Sequence, residues 1–289
     1  MNLKNLILFL GKKRIKISTD LVDATISDIN YTLDNPDIIN YNSSFPNDYF
    51  KNLPHPLVLT KISWHIIQNL ESLIDKPLDK RILSNIIHQS EYLCFYSGLK
   101  EKSKLFIKTR ICRILPHKKG TKITIRFDYF NGDILVATEY SGGLLFGVKC
   151  TGKPRVQVNL AETARLLIPQ PLWETNIEVS KKLPFEYAGK ANIDAPIHTD
   201  YNFARSLGLK NVLLQGTCVF ALAVNALYLL GQIPAESVIK EISAKFTGMV
   251  YPGSRLTIRL LKKDAGKFYF DVLDENKQAV IKGGQVFTV

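Results

Sequence analysis

Two hydrophobic patterns follow one another along this chain, and the pair occurs twice. From Pro56 to Leu73 the apolar residues Leu57, Ile62, Ile66, Leu70 and Leu73 recur at helical spacing, with Lys61 and Glu71 free to face water. This predicts a helix that ends before Lys76-Pro77. From Asn85 to Val148 the period shortens. Segments such as SEYLCFY, SKLFIKTRICRIL, TKITIRFDYF and DILVATEYSGGLLFGV alternate or cluster β-branched and aromatic residues, with turns at Ser97-Gly98, Lys119-Gly120 and Asn131-Gly132-Asp133.

The second round begins at Gly216. TCVFALAVNALYLLG is apolar almost all round, with Thr217 and Asn225 the polar exceptions, so it predicts a buried central helix too short to cross a bilayer. Strands return after Lys240 as EISAKFTGMV, RLTIRLLKK, KFYFDVLD and AVIKGGQVFTV. Residues 1–50 show no sustained period and carry turn formers at Asn35-Pro36 and Pro46-Asn47-Asp48, which predicts short strands or peripheral structure. NIEVSKKLPFEYAGK, after Trp173, reads as a strand or two.

A long helix before a run of antiparallel strands defines an α+β unit in which a curled sheet wraps one helix. The chain is therefore expected to hold two such units, residues 1–150 and 173–289. Between them lies a proline-bearing connection, 151–172, with a short helix around Leu160 to Leu167. The halves share little residue identity, so the repeat is architectural and the chain resembles a dimer made of one polypeptide.

Composition narrows the class. At 289 residues and 46% hydrophobic the chain can bury a large core, which excludes a disordered protein. A formal charge of +12 predicts attraction to something anionic, such as a phosphorylated ligand, an acidic surface or nucleic acid. No nucleic-acid-binding module is recognisable among the dispersed basic residues, and no nucleic-acid partner is expected. Cys94, Cys112, Cys150 and Cys218 lie far apart, so neither a zinc site nor a redox dithiol is expected. The N-terminal apolar run, Leu6 to Leu10, is too short for a signal-peptide core, and a cytoplasmic protein is expected.

The candidate chemistry lies in Ala191 to Leu230. Asp200 is placed to cap a helix running through Leu207, with Gly208 supplying the left-handed turn at its end. His198 would then sit just ahead of that helix, on a segment directed by Pro196. An imidazole with a pKa near neutrality suits proton transfer, and a nearby carboxylate, Asp194, suits holding or activating a water. The free amides at the start of the Gly216 helix suit a developing oxyanion, and Gly216 leaves room for substrate to approach the backbone.

These residues give the segment a family likeness. Tyr187, Pro196-Ile197-His198, Asn202-Phe203-Ala204, Gly208 and Gln215-Gly216-Thr217 fall in the order of the motif of the MaoC-like dehydratases and R-specific enoyl-CoA hydratases. His88-Gln89-Ser90-Glu91 and Glu139-Tyr140-Ser141-Gly142-Gly143 resemble strands of that family's degenerate repeat. The resemblance implies a double hotdog fold and hydration of trans-2-enoyl thioesters, or dehydration of (R)-3-hydroxyacyl thioesters. It implies catalysis by His198 with Asp194, an oxyanion hole at Gly216, and substrate contacts from Tyr187, Gln215 and Thr217. The substrate would be an acyl-CoA or an acyl carrier protein thioester, coenzyme A being part of the substrate, with no separate cofactor and no metal. Lys190, Arg205 and Lys210 are candidates for the phosphates of coenzyme A. Room is left for a homodimer.

The likeness has one departure. Where the family carries its aspartate this chain has Ile193, and where the family carries asparagine it has Ala195, while Asp194 lies one place later. A thioesterase, or an acyl-thioester binder without catalysis, is the alternative.

Overall fold

The computed structural model describes residues 15–46, 49–51, 53–160 and 170–289. The Leu6 to Leu10 run, most of the expected helix around Leu160 to Leu167 and the Asn47-Asp48 turn lie outside the described residues. Strands β1 (Lys16–Ser18) and β2 (Ile29–Leu33) lead to helix α1 (Asn35–Asn42). A 3-10 turn at Pro56–Val58 then opens α2 (Leu59–Gln68), followed by the single-turn α3 (Leu70–Leu73). The strands of the first half are β3 (Ile86–Phe95), β4 (Ser103–His117), β5 (Gly120–Asn131) and β6 (Ile134–Phe146), with short β7 (Lys149–Thr151) and β8 (Arg155–Val156) after them.

The second half repeats the scheme. After β9 (Trp173–Glu178) come α4 (Leu183–Ala191), α5 (Pro196–Thr199), α6 (Tyr201–Ser206) and the central α7 (Gly216–Leu229). The strands β10 (Ile239–Phe246), β11 (Arg255–Asp264), β12 (Lys267–Leu273) and β13 (Ala279–Thr288) close it. One sheet runs through both halves in the order β2-β4-β5-β6-β3-β10-β13-β12-β11-β9. The order reads the same from either edge, each half placing the strand after its helix at the centre. Antiparallel pairing of β3 with β10, from Cys94↔Glu241 to Ser90↔Lys245, fuses the two sheets edge to edge. The expected α+β double hotdog is what forms.

Apolar residues of α2, α7 and the inward faces of both sheets make one continuous core. Helix α7 is buried nearly throughout, as its uniform apolar surface requires. The junction between the halves is not a free linker throughout: β7 pairs in parallel with β1, and β8 pairs with β4.

Two segments differ from the sequence expectation. Asn35-Pro36 opens α1 instead of forming a turn, because Asp34 caps the Asp37 amide and proline fits the first turn, where its missing N–H costs nothing. Tyr41 of α1 is then fully buried. Lys61 of α2 reaches Asp37 at 2.6 Å, and Tyr31 donates to the same carboxylate, which locks the N-terminal segment to the core. Likewise LPFEYAGKA, expected as strand, is the helix α4, with Pro184 in its first turn and Asn192 ending it in the left-handed region at φ 53°.

Candidate active site

His198 lies on the one-turn helix α5, held against Leu213 from both directions. The Leu213 amide donates to Ile197 O at 3.0 Å, and His198 Nδ1 donates to Leu213 O at 2.8 Å. A small satellite core, Ala204, Leu207, Leu209, Val212 and Leu213 with Ile197 and Phe203 against it, supports this clamp. Asp200 caps α6 through the Asn202 and Phe203 amides, and Gly208 takes φ +78° after it, both as the sequence predicts. Because Nδ1 faces a carbonyl it must carry the proton, which leaves Nε2 as the basic nitrogen. Burial lowers the His198 pKa to about 4, the Leu213 carbonyl opposing this only in part, so the ring is neutral at pH 7.

Leu213 stands three residues before Gly216, so the same backbone positions the start of α7. Gln215 precedes that helix without capping it. Its Nε2 instead donates to Pro184 O and Ile193 O, both at 3.1 Å, and thereby ties α4 and the loop before α5 to the helix entry. The Gly216 and Thr217 amides have no hydrogen-bond partner among the described residues, which leaves two donors at the positive end of a fourteen-residue helix. The face beside Gly216 is closely packed: a Cβ there would lie 3.0 Å from the ring of Phe246.

Tyr187 and Thr217 support this entry from behind. Tyr187, on α4, is fully buried and donates to Thr217 Oγ1 at 3.1 Å, while its hydroxyl also meets Tyr41 at 3.1 Å. Tyr187 and Gln215, the substrate contacts the resemblance implies, are both buried here and each ties two elements together. The role of Tyr41 was missed because residues 1–50 show no period; an aromatic four residues after Asp37 in a capped segment was the available signal.

Asp194 does not pair with His198. Its side chain is exposed and Oδ1 accepts from Gln68 Nε2 at 3.3 Å. The physical reason is local: left-handed Asn192 turns the chain, Ile193 enters the core at 3% exposure, and the next side chain faces outward. Arg205 and Lys210 are exposed, and Lys190 donates to Ser43 O at 3.0 Å. Lys210 lies over the Tyr251 ring at 4.4 Å, beside a surface cleft of about 280 Å³ formed by Lys210-Asn211, Tyr251 to Ser254 and Glu275. Among the described residues no three His, Cys, Asp or Glu side chains are grouped as metal ligands. Nor is any described helix long and apolar enough to cross a membrane.

A continuous two-helix sheet with a histidine clamp ahead of a glycine-started central helix places the molecule among the double hotdog proteins. Residues 171–281 match the MaoC like domain family model, so the C-terminal repeat is similar to that domain. A MaoC-like dehydratase from Phytophthora capsici superposes with a TM-score of 0.80 at 18% identity, covering 93% of this chain and 98% of that one. The peroxisomal multifunctional enzyme type 2 of Drosophila melanogaster is 23% identical over 227 residues, 75% of this chain. This chain spans only 38% of that enzyme's length. The peroxisomal enoyl-CoA hydratase 2 of Arabidopsis thaliana is 22% identical over 235 residues, 78% of this chain and 75% of the plant protein.

Proposed function

We propose that the protein hydrates trans-2-enoyl thioesters, or dehydrates the corresponding (R)-3-hydroxyacyl thioesters, with His198 as the acid/base group. The observation that carries this reading is the fixed tautomer of His198, whose unencumbered Nε2 stands on the backbone that presents the Gly216 and Thr217 amides. In the hydration direction, Nε2 takes a proton from water as its oxygen adds to the 3-position. The negative charge that develops on the thioester oxygen is received by the two amides and the helix dipole behind them. The proton then passes from His198 to the 2-position, which balances the addition. Losing one such amide donor typically costs about 3 kcal/mol of transition-state stabilisation.

The relatives' names support an acyl-CoA substrate. Lys210 and Arg205 are the cations we assign to its phosphates, Lys210 beside the Tyr251 cleft. The cytoplasmic placement remains a proposal, set beside relatives described as peroxisomal. With purified protein, the absorbance of crotonyl-CoA should fall, and His198→Ala should abolish the change. Full activity in that variant would sink the assignment.

One observation favours a second reading. Ile193 occupies the core where the family motif has a carboxylate, and Asp194 points away, so the water has a histidine alone. A binder of acyl thioesters without turnover would show saturable acyl-CoA binding and no absorbance change with any enoyl chain length.

A further inference from the structure

Basic residues that are dispersed along the sequence gather on one surface of the fold. Strand β4 runs for 15 residues and pairs with β5 from Leu105↔Asn131 to His117↔Gly120. Leu105, Ile107, Thr109 and Ile111 turn inward and are buried, so Lys104, Phe106, Lys108 and Arg110 between them turn outward. A bulge at Cys112, between the Ile111↔Ile125 and Arg113↔Thr124 pairs, returns Arg113 to the same face. On β5, Ile123, Ile125 and Phe127 enter the core, which turns Lys122 and Arg126 outward. Lys118 and Lys119 are exposed in the hairpin that joins the two strands. From Lys104 to that hairpin the row is about 40 Å long, at about 3.3 Å a residue.

Acids do not balance this row. Among the described residues Asp128 is the one carboxylate on the outer face of β4 and β5, and it is already matched. Arg110 donates to it at 2.7 Å, Arg126 at 2.9 Å and Thr138 at 2.8 Å. The other cations of the face stay in excess. Glu101 and Asp133 stand in turns beyond its Lys104 end, and Glu241, three strands across on β10, is engaged by Tyr92.

Aromatic rings are set among the cations. Phe106 and Phe130 have centroids 6.5 Å apart, with Lys108 Nζ over both at 5.6 and 5.5 Å. Farther along the sheet Tyr140 lies 6.0 Å from Tyr92, and the Arg126 guanidinium sits over the Tyr140 ring at 5.5 Å. All four rings are half-buried.

We propose that the outer face of β4, β5 and the neighbouring β6 and β3 binds single-stranded nucleic acid, with phosphates along the lysine and arginine row and bases stacked at the two ring pairs. A linear polyanion matches a long row of cations, and bases supply flat faces for aromatic rings and guanidinium planes. A second copy of this chain would bring like charge to like. A membrane would take inserted apolar side chains, whereas these rings hold cations over their faces. Carboxylates of an acidic protein would match the charge but not the rings. The face turns away from the core that holds α2 and α7, so the proposal is independent of the thioester reading.

The test is fluorescence anisotropy with a labelled single strand of about 20 nucleotides, longer than the roughly 4–16 that one compact binding domain covers, as RNA and as DNA, at several salt concentrations. Five or six phosphate contacts give log K against log salt a slope of about −4. Changing Lys104, Lys108 and Lys122 together to Gln should weaken binding at least about tenfold and flatten that slope by about 2. Phe106→Ala should weaken it at least about fivefold and leave the slope unchanged. Inorganic polyphosphate, run on wild type alone, keeps the test decisive if a variant does not fold: the oligonucleotide should bind at least about fivefold tighter. Equal affinity for polyphosphate overturns the proposal, as does binding that survives the three lysine changes or no binding of either strand at low salt. Binding of phosphatidylserine vesicles without the oligonucleotides would overturn it in favour of a membrane.

Discussion

His198 Nδ1 donates to the carbonyl oxygen of Leu213 at 2.8 Å, and this bond decides which nitrogen can do chemistry. With Nε2 as base, the active form is the neutral ring, and burial holds its pKa near 4. A base must be deprotonated, so kcat/KM for crotonyl-CoA should rise through about pH 4 and stay level to neutrality. A limb near 6.5 would show a solvated histidine and count against the clamp. Folding must be followed in parallel. The partly buried rings of His88 and His198, at about 4, and the buried His55, at about 3, take up protons on unfolding, so stability falls as pH drops below about 6.5.

The outward course of Asp194 makes a second prediction. Its carboxylate is exposed and bonded to Gln68, so Asp194→Asn should leave the rate within about twofold of wild type. A general acid or base contributes about a hundredfold or more. Steady-state rates separate these outcomes, and a hundredfold loss would restore Asp194 to the catalytic group.

Tyr187 ties the start of α7 to α1 through Thr217 and Tyr41. Tyr187→Phe removes both bonds and leaves the buried Tyr41 hydroxyl without the Tyr187 hydroxyl. The expected cost is about 1–3 kcal/mol, read from urea unfolding. A loss below about 0.5 kcal/mol would mean that the tyrosine pair contributes little.

How much of this was legible depends on whether a residue's role is set by its neighbours in sequence. The apolar period gives α2 and α7, the alternation gives β3 to β6 and β10 to β13, and Asp200 and Gly208 mark the ends of α6, because each signal is local. Pro36 and Pro184 mislead for a related reason: proline serves a turn and the first turn of a helix equally well, and only the cap at Asp34 and the packing of Tyr187 decide. The His88 and Glu91 pair is invisible in sequence. Residues three apart on a regular strand face opposite ways, and the bulge at Gln89 that reverses this depends on a partner strand fifty residues later. The clamp between His198 and Leu213 is hidden likewise, since a backbone carbonyl has no sequence signature.

Glu91 and Glu139 predict an unusual pH dependence. Their folded pKa values are raised, chiefly by burial, so above about 4.5 the unfolded chain has released protons that the folded chain keeps. Stability therefore declines as pH rises from there toward the folded pKa. Glu91→Gln keeps the shape and removes the titration. Its urea midpoint should exceed that of wild type at pH 8, and the difference should shrink toward pH 5. An equal difference at both pH values would show that Glu91 is not protonated in the fold.

Gly216→Ala tests the other end of the site. At the first position of a helix, alanine should be favourable by up to about 1 kcal/mol on propensity alone. Here its methyl would lie 3.0 Å from the Phe246 ring, a side chain able to shift by a few tenths of an ångström, so the net change in stability should stay within about 1 kcal/mol. Activity should not be spared. On the proposed reaction the methyl crowds a thioester oxygen held at the Gly216 and Thr217 amides, and losing an oxyanion donor lowers rate by about a hundredfold or more. The variant should therefore unfold at nearly the wild-type urea concentration while turning over crotonyl-CoA about a hundredfold more slowly. Wild-type turnover would mean that the thioester oxygen is held elsewhere. Equal loss of stability and rate would mean that the glycine is there for packing against Phe246.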